Sequence, residues 1–176
     1  MVNKASVIVL SLGIVAHAGA TGRDSLARFD GGVGVIPVSN VAVNATTGAV
    51  TVNRNIVKGV NPPGQIWVIA DLKADIDADG HITVKGRGLL LGGGNAIGQN
   101  ANQSVFATLI CEAAAPFVEH SSAAAGVALE PNGDFRIDDT LDTTPSECPS
   151  PTLLIRGASG RTWFAAGIPK LGGDDD

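Results

Sequence analysis

Between Gln65 and Leu91 the chain alternates in a way that few folds can use. Ile66, Val68, Ala70, Leu72, Ala74 and Ile76 occupy the even positions, and charged residues fill most odd positions from Asp71 onward. That period of two marks a strand with one buried face, and it resumes at Ile82 and Val84. A three-residue loop, Ala78-Asp79-Gly80, with Gly80 in a left-handed bulge position, sets Ile76 opposite Ile82 and Ala74 opposite Val84. A two-residue Asp79-Gly80 loop would set Ile76 opposite Thr83 and mix the faces, so it is rejected. On this phase Trp67 falls on the odd, polar face and is expected to be partly exposed.

Residues 1–20 read as an export signal rather than as structure. Lys4 supplies the positive start and Ala5 to Val15 an apolar run too short to span a bilayer. Ala16-His17-Ala18 or Ala18-Gly19-Ala20 supplies the small-residue cleavage site. The expected destination is the periplasm or the cell exterior, with no membrane insertion once the signal is removed. The remainder, residues 21–173, suits one domain with a real core, followed by an acidic tail at 174–176. With a net charge of −5 and no basic run, the chain does not suit nucleic acid or anionic membrane surfaces. The two cysteines, Cys111 and Cys148, fit one disulfide in an exported protein, contributing roughly 3–4 kcal/mol in the chain-entropy model.

The rest of the chain repeats the strand and turn logic. Val33 to Val38 reads as a first strand pushed to a sheet edge by Pro37, while Thr21 to Asp30 reads as an arm or a short helical turn. Val41 and Val43 face Val52 and Val50 across a loop at Ala45-Thr46-Thr47-Gly48. Ser104 to Cys111 is a buried strand, and Ala113 to Ala125 a loop or short helical excursion. Val127 to Ile137 forms a hairpin about Pro131-Asn132-Gly133, with Leu129 facing Phe135 and Val127 facing Ile137. Asp138 to Pro151 is a long loop, and Thr152 to Arg156 pairs with Thr162 to Ala166 as a last hairpin. Short strands with frequent turns and no long amphipathic helix predict an all-β, antiparallel β-sandwich, or a small β-barrel, built from consecutive hairpins.

The segments FDGGVGVIPV (29–38), GVNPPGQIWVIADLKADIDADG (59–80), GRGLLLGGGNAIGQNANQSVFATLIC (86–111), LEPNGDFRIDD (129–139) and WFAAGIPK (163–170) resemble those of uncharacterised small exported bacterial proteins. The resemblance implies export and small size, and carries no activity or site.

Several groups of residues are candidates for chemistry. Asp75, Asp77 and Asp79, followed by Gly80, match the first half of an EF-hand loop, but the twelfth position is Gly86 instead of a bidentate Glu. Such a site would bind Ca²⁺ weakly; otherwise the aspartates form a solvated turn and the chain carries no cofactor. Glu130, Asp134, Asp138, Asp139 and Asp142 gather around a second turn; a hydrolase would need two of them across a cleft with one carboxyl pKa raised. Trp67 and Trp163 form a carbohydrate platform if both rings lie on one sheet face. Gly92 to Gly98 matches no phosphate-binding pattern. Neither His81 nor His120 has a metal-ligand spacing, and Ser159 sits in an incomplete nucleophile motif. The sequence therefore leads first to an exported, non-enzymatic binding or structural module whose partner is a protein or a glycan. A secreted hydrolase using 130–142, or a Ca²⁺- or carbohydrate-binding module, is the alternative.

Overall fold

A computed structural model describes residues 24–170; the export signal expected at 1–20 and the acidic tail at 174–176 lie outside the described residues. The elements in chain order are β1 (Ser25–Gly34), β2 (Val38–Val43), β3 (Val50–Arg54), β4 (Trp67–Val68), β5 (Asp71–Asp77), β6 (His81–Arg87), β7 (Leu90–Leu91), β8 (Ser104–Ile110), β9 (His120–Ser121), β10 (Val127–Ala128), β11 (Phe135–Thr140), β12 (Thr152–Gly157) and β13 (Trp163–Pro169). Every ladder is antiparallel, and no helix occurs among the described residues.

The main sheet has nine strands in the order β10-β8-β12-β13-β1-β5-β6-β11, with β9 also on β8. Its two end strands, β10 and β11, are consecutive in the chain and are joined by a tight turn. Gly133 N donates to Glu130 O at 2.8 Å and Glu130 N to Asp134 O at 2.9 Å. A sheet whose ends share one short turn has to curl, and this one forms a half-barrel around a core of aliphatic side chains.

The central hairpin has the expected register, with Ile76 opposite Ile82 and Ala74 opposite Val84. Gly80 has φ +88°, the left-handed conformation that its turn requires. Leu72, Ile76, Ile82 and Val84 are fully buried, while the odd positions of β5 carry the charges outward. β8 and β12 are buried on both faces; on the outer side the Arg156 guanidinium lies over Phe106 and bonds Thr108 and Glu119. Two-sided burial explains why SVFATLI and TLLIRG read as runs rather than as alternations.

Several expectations are corrected. The first strand begins at Ser25, and β1 is central, paired with both β13 and β5, so it is neither an arm nor an edge. Ala27 and Phe29 are buried in its first half and Leu26 packs partly against the core, an apolar pattern too short and irregular to announce a strand. The turn at Pro131-Asn132-Gly133 is present, but its flanks diverge: Val127 pairs with Val105 and Ile137 with Val84. β11 runs on to Thr140, and β9 interrupts the 113–125 loop. Lastly, the alternation from Ile66 to Asp77 spans two strands that are out of phase. Trp67 in β4 turns inward beside β7, whereas the inward positions of β5 are even.

Candidate functional site

The hairpin of β2 and β3 stands apart from the main sheet. Its register is the expected one, Val41 opposite Val52 and Val43 opposite Val50, so four valines form a block on one face. Asn40, Ala42, Thr51 and Asn53 occupy the other. Every residue of both strands is exposed, and Val41, Val43, Val50 and Val52 are 57%, 65%, 64% and 56% accessible. At the tip, Asn44 Oδ1 accepts from the backbone of Thr46 and Thr47, each at 2.9 Å, which shapes the loop. An isolated two-stranded ribbon is marginal in water, so the arm depends on how its base is held.

The base is held by residues of the core. Trp163 Nε1 donates to Asn55 O at 2.9 Å, and Asn55 N donates to Pro37 O at 2.9 Å, closing the two ends of the arm. The Arg54 guanidinium donates to Pro62 O. Lys58, a few residues on, directs its ammonium at Glu112 O (2.6 Å) and Ser150 O (2.7 Å), beside the Cys111–Cys148 disulfide. Burial pushes the Lys58 pKa down, and the Glu112 carboxylate partly offsets this. The arm is thus tied through one short segment to the core tryptophan and to the disulfide.

Trp163→Phe removes the donor to Asn55 and, because the indole is buried, adds a small packing loss of its own. A lost neutral hydrogen bond of this kind costs about 1 kcal/mol. The expected result is faster amide exchange across 38–56 by mass spectrometry, with the exchange of β5 and β6 unchanged. Equal acceleration in the two regions would mean that the tryptophan serves the core alone.

The tryptophans do not form a carbohydrate platform. Both are 4% exposed; the Trp67 ring lies parallel to Phe164 at 4.2 Å and the pair lines a pocket beside Arg54 and Pro62 that Trp163 does not enter. Expecting Trp67 on an exposed face failed because the phase of the alternation slips by one residue between β4 and β5.

Asp75, Asp77 and Asp79 are not brought together as a cage. Asp75 accepts from Ser25 Oγ at 2.9 Å and pairs with Arg28 Nε at 3.2 Å across the β1–β5 ladder. Asp79 Oδ1 accepts from His81 N at 3.0 Å, a local turn contact. Among the described residues no three His, Cys, Asp or Glu side chains converge on a point. Gly86, at the place of the missing twelfth ligand, faces the core, and a Cβ there would lie 2.0 Å from the Phe135 ring.

The second acidic group is split, and much of it serves the backbone. Asp134 accepts from Gly88 N, Asp139 from Ala123 N and Asp142 from Ser121 N, between 2.7 and 3.0 Å. Asp139 and Asp142 line a polar cleft of about 580 Å³ with Glu119, Ser121 and Arg161. Asp138 instead lies outside it, bonded to Arg136 Nη2 at 2.9 Å and close to His81 Nε2 at 3.3 Å.

The Arg136 hydrogen bond holds the Asp138 carboxyl below its ordinary value of 3.8, and the Val118 N–H does the same to Glu112, ordinarily 4.5. A carboxyl lowered by folding contributes stability that is complete above its unfolded pKa and is lost as pH falls through the folded one. Acid unfolding of Glu112→Gln is therefore expected to differ from the parent above about pH 4.5 and to converge with it in stronger acid. Curves that diverge only at low pH would remove Glu112 from that role.

Sequence reasoning missed Glu119, Arg156 and Arg161. Arg156 is 5% exposed; its Nη1 donates to Glu119 Oε2 at 2.6 Å, its Nε to Arg161 O at 2.9 Å, and its guanidinium lies over the buried Phe106 ring at 5.3 Å. No spacing motif links Glu119 to Arg156, which meet only through tertiary packing, while Arg161 reaches Arg156 across the β12–β13 turn. The isolation of the arm was also missed, although a signal existed: no charged residue occurs from Gly31 through Asn53.

No family model matches the chain, and neither does any curated protein or solved structure. Among the described residues no helix is long and apolar enough to cross a membrane. The fold is all-β, and Cys111 and Cys148 form a disulfide with Cα atoms 4.4 Å apart.

Proposed function

We propose that this protein is an exported, non-enzymatic β-module that works by presenting the 38–54 arm to a protein partner. The observation that carries the reading is the arm itself: a two-stranded ribbon with an uncovered block of four valines, held at its base by core residues. Exposed apolar patches of this size mark interaction surfaces more often than they occur idly. The disulfide suits an oxidising compartment, in keeping with export. Asp139 and Asp142, the cleft's two aspartates, each accept from a backbone amide, and Asp138 and Asp134 lie outside the cleft, so the acidic group does not favour the hydrolase reading.

The test is site-specific photocrosslinking in the native host. A photoreactive residue at Val43 or Val52 is expected to give discrete adducts, and one at Lys85 or Arg136, on the body, is expected to give none. Adducts from the body alone would overturn the reading.

A further inference from the structure

We infer that the arm's partner is a second copy of this chain, with the Val41, Val43, Val50 and Val52 faces of two arms packed against each other. This rests on the arm being the docking surface and adds what occupies it.

Charge is the first argument. The segment between Asp30 and Arg54 carries none, whereas charged residues make up 16% of the whole chain. A charged partner would bury its groups here without counter-ions, which costs several kcal/mol per ion. The outward faces of β5, β6 and β11 are excluded on this ground, since they carry Lys73, Lys85, Arg136 and Asp138. A second arm meets the requirement.

Shape is the second argument. The paired valines, Val41 with Val52 and Val43 with Val50, form a two-by-two block of one residue type. A two-fold axis lying between two such blocks sets valine against valine in both directions, the isologous contact of most homodimers. The reverse face carries Asn40, Thr51 and Asn53 and stays in water. The arm's outer edges also lack the lysines by which exposed ribbons ordinarily avoid pairing.

Area is the third. The four valines are more than half exposed, as are Ile36 (61%) and Ile56 (54%) at the base. At roughly 90 Å² each the four valines offer about 360 Å² per copy, so two copies bury about 700 Å² on this face, an interface of the weak, reversible class.

The experiment is sedimentation velocity on the purified, oxidised protein from about 1 to about 100 µM, a range that spans micromolar self-association. A concentration-dependent dimer is expected. Val43→Lys, which places two ammonium groups in the interface, should raise the dissociation constant at least about tenfold, while Thr51→Lys on the reverse face leaves it within about twofold. Thermal unfolding of the dilute monomers should agree among all three. As a second measurement that does not depend on tolerating a charge, Val41→Cys should oxidise to a covalent dimer and Thr51→Cys should not. A monomer at every concentration, or equal effects from the two faces, overturns the inference. If that monomer still gives Val43 adducts heavier or lighter than twice this chain in the host, the arm remains a docking surface for another protein. If it gives none, both readings fall.

Discussion

Gly86→Glu, the substitution that completes the calcium-loop pattern begun at Asp75, is expected to unfold the protein rather than create a metal site. In β6 residue 86 faces the core, directly opposite Phe135 in β11. A Cβ there would meet Cε1 of that ring at 2.0 Å and Cζ at 2.2 Å. The ring has little room to retreat, because Phe135 is itself 6% exposed and packed in the core. Steric overpacking alone costs about 1–3 kcal/mol, and a carboxylate forced into the same place adds a buried unpaired charge. The sum exceeds about 4 kcal/mol, a large share of the 5–15 kcal/mol that holds an ordinary domain together. The variant should show a lost near-ultraviolet signal, with no recovery on adding millimolar Ca²⁺. Gly86→Ala should be milder, and Phe135→Leu in the same molecule should restore part of its loss by vacating the ring's edge. A folded Gly86→Glu protein whose melting temperature rises with Ca²⁺ would show that the aspartates and residue 86 do converge.

That glycine also shows what local pattern can and cannot reveal. A motif is read along the chain, but Gly86 is required by a ring 49 residues away that reaches it only when β11 lies on β6. The registers of the central hairpin and of the arm were legible because each is set by one short loop and one alternation. Which strands neighbour each other was not: Val127 and Ile137 are symmetric about their turn, yet one pairs with β8 and the other with β6 at opposite ends of the sheet. Trp67 was placed on the wrong face because an even-odd pattern carries no mark where the chain leaves one sheet for another. The arm's four valines alternate just as a buried face does. Their exposure follows from what the rest of the chain fails to cover, which periodicity does not encode. The same limit applies to the Arg156 and Glu119 pair, two residues separated by 37 positions and joined by tertiary packing.

Replacing both Cys111 and Cys148 by alanine is expected to cost about 3–4 kcal/mol, because the bond closes a loop of intermediate length in the unfolded chain. For a domain of this size that lowers the melting temperature by roughly 10 °C. The effect should not stop at the sheet. Cys111 follows β8 and Cys148 precedes β12, and the Lys58 ammonium binds the carbonyls of Glu112 and Ser150 between them. The lysine can hold both carbonyls only while those two segments stay close, and Ser150 N donating to Cys111 O at 3.0 Å extends the β8–β12 ladder up to them. Lys58→Met removes charge-assisted hydrogen bonds worth about 1.5–3 kcal/mol in the oxidised protein. In the cysteine-free protein it should cost less, because the site is already loosened, leaving a coupling energy of at least about 0.5 kcal/mol in a double-mutant cycle. Lys58 lies three residues after Asn55, the residue that Trp163 anchors, so loosening the junction should also speed amide exchange in the arm. Strict additivity, with arm exchange unchanged, would mean that the disulfide steadies the sheet alone and that the arm's footing does not depend on the oxidation state of the protein.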